Sequence, residues 1–292
     1  MFQKEFLEKL NLALNNKLKK SIVIEHAEKV YGGDINETFV LHTSEGNYFL
    51  KVNNHTQYDM FEKEFNGLQV LQATNTINVP QPFFCGTGNG KIFLVMEHIE
   101  KGKPKSNFWQ SFGEQLAALH KQTQLQFGFN ENNYIGSLPQ ENKPTDAWTE
   151  FYSMQRIMPL IEKAYNQNKC AKEDLLKAAK LCTRFAELFP QEPPALLHGD
   201  LWSGNYMVNQ KGEPVIYDPA VYYGHREMDI AMSLLFGGFD KSFYNYYNEA
   251  FPLEKNWQKR VPLCQLYPLL VHLILFGGHY YYSVINIINS FI

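Results

Sequence analysis

The sequence predicts an α+β fold in two lobes: a small lobe built on an antiparallel sheet and a larger, mainly helical lobe. Three observations carry this expectation. A chain of 292 residues is long for one domain. Short apolar runs separated by turn residues crowd residues 21–52 and 83–97, whereas beyond residue 107 apolar residues recur mostly at helical spacing. Within the helical part, residues 196–220, LLHGDLWSGNYMVNQKGEPVIYDPA, switch to a loop followed by two short strands.

Composition narrows the partners. Hydrophobic residues make up 45% of the chain and aromatics 15%, enough for two cores. The formal charge of −3 holds no basic excess, so neither nucleic acid nor an anionic membrane is an expected partner. Cys85, Cys170, Cys182 and Cys264 are scattered without a Cys-x-x-Cys pair. Free thiols in a reducing cytosol are therefore expected, not a zinc site or a disulfide framework. The first residues, MFQKEFLEKLNLAL, carry acids and lack the apolar core of a secretion signal, so a cytoplasmic protein is expected. The most apolar run, residues 263–276, is interrupted by Gln265, Pro268 and His272 and reads as a buried helix, too short and polar to span a bilayer.

Residues 2–20 place Phe2, Phe6, Leu7, Leu10 and Leu14 at helical spacing among Lys and Glu, predicting an amphipathic helix on the first lobe. Strands follow around Ile22, from Glu37 to His42 and from Tyr48 to Val52, joined by turns at residues 31–36 and 44–47. Gly32-Gly33 in the first turn would let backbone N–H groups approach a phosphate, although most such pairs are hairpin turns. Lys51 lies in the strand YFLKVN, and the helix MFEKEFNGLQVLQ after it carries Glu64, thirteen residues on. Phe61, Phe65, Leu68 and Leu71 are expected on the inner face of that helix. A strand Lys oriented by a helix Glu is the arrangement that holds nucleotide phosphates, and Glu62 competes with Glu64 for the role. Two further strands, 83–85 and 91–97, lead into Glu97-His98-Ile99, whose backbone would meet an adenine. The Gly102-Lys103-Pro104 stretch marks the boundary, giving lobes 1–101 and 102–292.

In the second lobe Asn107 is expected to cap a helix over 108–121. Residues 127–144 form a long polar loop bordering an acceptor site. Helices follow over 147–164, 171–189, 228–236, 263–277 and 280–291.

The chemistry concentrates in residues 198–218. Asp200 and Asn205 stand five residues apart in one loop, and the hairpin after it ends at Asp218. This is the spacing of a kinase catalytic loop followed by a metal-binding Asp. A hydroxyl nucleophile needs a base, here Asp200, while an Asn oxygen and a second carboxylate, Asn205 and Asp218, hold Mg²⁺ against the phosphates of ATP. Either fragment alone would read as an ordinary turn; their order and spacing favour the kinase reading.

HGDLWSGN, YDPA and YYGHREMDIAMSLLFGGF together resemble the fructosamine kinase (ketosamine 3-kinase) family, in the aminoglycoside and choline kinase-like branch of the protein-kinase fold. The resemblance runs over nearly the whole chain. It implies Mg-ATP between the two lobes and transfer of the γ-phosphoryl group to the 3-hydroxyl of a ketosamine, free or on a glycated protein lysine. The adduct then becomes unstable and releases the amine. The resemblance also implies that Glu64, three residues after Phe61, and not Glu62 partners Lys51, and that His198 and Asp229 support the catalytic loop, although Asp229 equally suits the N-terminus of a helix. Trp202 would cover the sugar, or else pack the loop onto the helices. A kinase of the same branch with another hydroxyl acceptor and a catalytically inactive nucleotide-binding protein are the rival expectations.

Overall fold

The computed structural model of the chain describes residues 4–30, 36–54 and 59–292. In chain order its elements are α1 (Lys4–Leu18), β1 (Ile24–Val30), β2 (Glu37–Thr43), β3 (Gly46–Asn54), α2 (Met60–Ala73), β4 (Pro82–Gly88), β5 (Lys91–Glu97), α3 (Phe108–His120), β6 (Asn133–Ile135), β7 (Leu138–Gln140) and α4 (Trp148–Tyr152). A π-helical turn, Ser153–Ile157, leads into α5 (Met158–Asn166), α6 (Lys172–Thr183), α7 (Phe185–Leu188) and β8 (Ala195–Leu197). A 3₁₀ turn, Ser203–Asn205, precedes β9 (Tyr206–Val208), β10 (Pro214–Ile216), β11 (Tyr222–Gly224), α8 (Glu227–Leu235), α9 (Lys241–Ala250), α10 (Trp257–Phe276) and α11 (Tyr280–Ser290). This is an α+β chain in two units, residues 1–106 with 207–218 and residues 107–206 with 219–292.

The first unit is a five-stranded sheet in the order β1-β2-β3-β5-β4, every neighbour antiparallel. Alternation along β3 decides its function. Leu50 and Val52 enter an apolar core with Phe6, Leu10 and Leu14 of α1, so Lys51 points to the opposite face, where α2 lies. Burying one whole face of α1 against the sheet explains why a short, Lys-rich helix is stable. Strand β1 starts at Ile24 and runs through charged residues, because it is a half-exposed edge strand; Ile22 itself drops into the core. On α2 the buried residues are Met60, Phe61, Gly67, Leu68 and Leu71, and Phe65 is only partly covered.

The boundary differs from the sequence expectation. It falls after residue 106, and residues 207–218 belong with the first unit. The reason lies in backbone pairing: Gly102 donates to the carbonyl of Val208 at 2.9 Å, and Ile216 donates to that of Asn78 at 3.0 Å. The Asn78 side chain adds a bond to the carbonyl of Pro214 at 3.2 Å.

The second unit is mainly helical. Helix α3 packs on α9, and α10 packs on α8 and α11. Asn107 precedes α3 without a side-chain cap; its carbonyl accepts from Ser111 instead. The loop 127–144 contains the hairpin β6–β7, with Asn133, Gln140 and Asn142 buried. The expected helix 147–164 carries a π-helical turn at Ser153–Ile157, closed by Met158 N–H bonding to the carbonyl of Ser153. Pro159, one residue beyond that closure, has no N–H for the carbonyl of Gln155, which accepts from the Arg156 side chain instead. Helix α9 escaped the sequence reading, and α10 begins at Trp257, six residues earlier than expected. Its first turns are polar because Arg260 pairs with Glu227, with bonds at 2.8 and 2.5 Å.

Candidate active site

In the first unit Lys51 is 4% exposed and carries an ammonium between two carboxylates. Its Nζ donates to Glu64 Oε1 on α2 at 2.7 Å and to Asp218 Oδ1. Glu64, not Glu62, meets the lysine, because Glu62 lies on the exposed face of α2. Burial works against the charge of Lys51, but the two carboxylates outweigh it and hold its pKa above the ordinary lysine value. Burial raises the Glu64 carboxyl, and the neighbouring Asp218 carboxylate adds to the rise although Lys51 opposes it. Asp218 follows β10 with a left-handed φ of 57°, a conformation Asp tolerates better than most residues, and keeps its side chain 40% exposed. A half-exposed carboxylate beside a buried ammonium can exchange that partner for another cation.

At the end of β5 Glu97 donates its backbone N–H to the carbonyl of Gln81 at 2.8 Å. Its carboxylate accepts from the Gln81 N–H at 3.1 Å. His98 and Ile99 continue as irregular backbone, and His98 Nδ1 is buried with no partner among the described residues. Gly32 and Gly33 lie outside the described residues.

In the second unit β8 pairs with β11, and the chain leaves β8 through His198, Gly199 and Asp200. Asp229 on α8 is 1% exposed and receives this turn. Its Oδ2 accepts the His198 N–H at 2.7 Å and its Oδ1 the Gly199 N–H at 2.9 Å. Burial alone would raise the Asp229 carboxyl, but His120 and the donors of the turn lower it overall. His120 Nε2 lies 3.2 Å from Asp229 Oδ2, and its Nδ1 lies 2.8 Å from the Tyr247 hydroxyl. These two residues extend the support into α3 and α9, and sequence reasoning missed both. The signal available was weak: an apolar helix, FWQSFGEQLAALH, ending on a histidine.

Gly199 has a φ of 83°, and a Cβ there would stand 2.1 Å from the carbonyl oxygen of Ala220, so only glycine fits. His198 is fully buried and its Nδ1 accepts the Asp200 N–H at 3.3 Å. The Asn205 amide donates to the Asp200 backbone oxygen at 2.8 Å and to Asp200 Oδ2 at 2.9 Å. With its nitrogen so engaged, Asn205 keeps its amide oxygen as the acceptor end of the side chain. Trp202 lays its ring over Gly204, where a Cβ would come within 2.3 Å of the indole, and meets Phe236 edge-on at 5.7 Å. It is half-buried.

The structure thus gathers Lys51, Glu64 and Asp218 in one cluster, and His198, Asp200, Trp202, Asn205 and Asp229 in another. No helix among the described residues is long and apolar enough to cross a membrane.

The chain matches known proteins over most of its length. The sequence profile described as fructosamine kinase matches residues 7–292. A "probable ketoamine kinase" of Enterococcus faecium is 41% identical over 266 residues, covering 90% of this chain and 94% of its own. The chloroplastic protein-ribulosamine 3-kinase of Arabidopsis thaliana is 38% identical over 281 residues, covering 94% and 84%. Among solved structures, a protein of Haemophilus somnus provisionally named a fructosamine-3-kinase superposes with a TM-score of 0.89 at 28% identity, over 98% of each chain. An aminoglycoside phosphotransferase, at 15% identity and a TM-score of 0.62 over 96% of this chain and 98% of its own, shares the fold alone. A match that runs through both clusters and over nearly all of the sequence makes the chain a member of the fructosamine kinase family.

Proposed function

We propose that this chain is an ATP-dependent kinase that transfers the γ-phosphoryl group to the 3-hydroxyl of a ketosamine, a ribulosamine or fructosamine adduct either free or on a protein lysine. The observation that carries the reading is the buried Lys51 shared by Glu64 and Asp218 in a chain of this family. The names of its relatives, ketoamine kinase and protein-ribulosamine 3-kinase, support the acceptor class.

The roles follow from chemistry. Lys51, held by Glu64, orients the nucleotide phosphates, and the backbone at Glu97, His98 and Ile99 receives the adenine. Gly32 and Gly33 lie outside the described residues, and their assignment to the phosphates rests on their place before Lys51 in the sequence. Asp200 takes the proton of the acceptor hydroxyl as its oxygen bonds to the γ-phosphorus and the bond to the β-phosphate oxygen breaks. His198 and Asp229 keep the backbone of that loop in place, and Trp202 covers one face of the sugar.

Mg²⁺ fits the donors present. The amide oxygen of Asn205, whose nitrogen is taken up by Asp200, and the half-exposed carboxylate of Asp218 are hard oxygen ligands, and Mg²⁺ is generally held by one or two carboxylates together with substrate phosphates. Asn205 and Asp218 would hold the ion, which when bound would neutralise charge on the phosphates. A 3-phosphorylated ketosamine is unstable, so release of the amine makes the activity one of deglycation. Four cysteines without disulfides, Cys85, Cys170, Cys182 and Cys264, suit a cytoplasmic setting.

The test is ADP release by purified protein with a panel of ribulosamine, fructosamine, choline and an aminoglycoside. Turnover should be fastest with a ketosamine and require Mg²⁺. Faster phosphorylation of choline or the aminoglycoside would refute the acceptor assignment, and no acceptor-dependent ADP release would favour a nucleotide-binding protein without catalysis.

A further inference from the structure

Arg156 sits at the π-helical turn and is fully buried, yet no carboxylate among the described residues pairs with it. Its Nη1 donates to the carbonyls of Glu141 at 2.5 Å and Gln155 at 3.1 Å, and its Nη2 to Asn142 Oδ1 at 2.7 Å. The guanidinium lies over the rings of Tyr222, Phe151 and Tyr267, at 4.3, 4.5 and 5.3 Å from their centroids. A full charge is therefore answered only by dipoles and ring faces, a costly state that an apolar side chain would avoid.

Two routes lead from this charge to the catalytic loop. Asn142 donates to Asn133 Oδ1 at 3.1 Å, and Asn133 donates to the carbonyl of Val221 at 2.7 Å. Gln140 bonds Asn133 Oδ1 at 2.7 Å and the carbonyl of Ala220 at 3.1 Å, and the Ala220 N–H returns to the His198 carbonyl at 2.9 Å. By the second route, Tyr222 and Tyr267 wall a small cavity together with Gly199 and Asp200. The Tyr267 hydroxyl donates to Gln140 Oε1 at 2.6 Å and joins the two routes.

We propose that Arg156 is a positioning residue for phosphoryl transfer: it clamps the polar network of Asn133, Gln140 and Asn142 and the rings of Tyr222 and Tyr267 beneath the Asp200 loop, and so fixes where the Asp200 carboxylate points. The proposal rests on the reading of Asp200 as the base. Small errors in the placement of such a group act on turnover, not on nucleotide affinity.

The test compares wild type, Arg156→Met and Arg156→Lys on a ribulosamine acceptor. Turnover is expressed per molecule competent to bind ADP, counted by titration with a fluorescent ADP. Arg156→Met should lose about 10-fold or more in kcat per competent molecule while the KM for ATP stays within about twofold. Arg156→Lys should recover only a minor part, because an ammonium cannot both hold Asn142 and lie flat on the rings. Unchanged kcat per competent molecule in Arg156→Met overturns the proposal whatever happens to its melting temperature, and so does full recovery in Arg156→Lys. If Arg156→Met does not fold, Tyr267→Leu carries the same comparison with the same expected split. If neither folds, Arg156 is a folding determinant and the proposal falls. An inactive wild type would remove the functional reading and this one with it; an active wild type matched by Arg156→Met removes this one alone.

Discussion

Replacing Asp229 by Asn tests how the loop that bears Asp200 is held. Asp229 accepts two backbone N–H bonds, at 2.7 and 2.9 Å, and is 1% exposed. Asn keeps the shape but removes the charge and turns an NH₂ group toward one of those donors. Hydrogen bonds to a charged group contribute about 1.5–3 kcal/mol each, so losing one and weakening the other costs about 3 kcal/mol. At about 2–4 °C per kcal/mol for a unit of this size, the melting temperature should fall by roughly 6–12 °C. Turnover should fall too, since residues 198 and 199 lead directly into Asp200. The loss also has a pH signature. The folded-state pKa of Asp229 is depressed, so its stabilisation is complete above the unfolded value of about 3.9 and disappears as pH falls through the lower folded value. The gap in melting temperature between wild type and Asp229→Asn should therefore be widest near neutrality and narrow below about pH 4. Thermal melts at a series of pH values measure both effects. A variant melting within about 2 °C of wild type at pH 7 would refute the bracing role, because the predicted loss is several times larger.

Three further outcomes concern the proposed machinery. Asp200→Asn should retain Mg-ATP affinity and lose about 10²–10⁴-fold in kcat, whereas Asp218→Asn should also weaken metal-dependent nucleotide binding; a full kcat in Asp200→Asn would show that it is not the base. Lys51→Ala and Glu64→Ala should be strongly non-additive in a double-mutant cycle on kcat/KM, with Glu62→Ala nearly silent; additive losses would mean that Glu64 does not act through Lys51. Trp202→Ala should raise the KM for a ketosamine with ATP KM and melting temperature nearly unchanged, and Gly204→Ala, whose Cβ would displace the indole, should do the same; a large fall in melting temperature would mark Trp202 as a packing residue instead.

The sequence by itself determined strands β2 to β5, most of the longer helices and the spacing of Lys51, Glu64, Asp200, Asn205 and Asp218, because these features are local. Period-2 and helical patterns and short loop motifs are written in neighbouring residues. The resemblance favoured Glu64 over Glu62, but the physical reason is tertiary, since both lie on α2 and the contact depends on which face meets β3. Only the tertiary structure placed residues 207–218 with the first unit, through backbone pairing to Asn78 and Gly102. The support beneath the loop was equally hidden. His120 meets Asp229 across 109 residues and Tyr247 across 127, and Tyr267 meets Gln140 across another 127. A buried polar side chain has no periodicity of its own, and its role is defined by a partner that only folding brings within hydrogen-bonding distance.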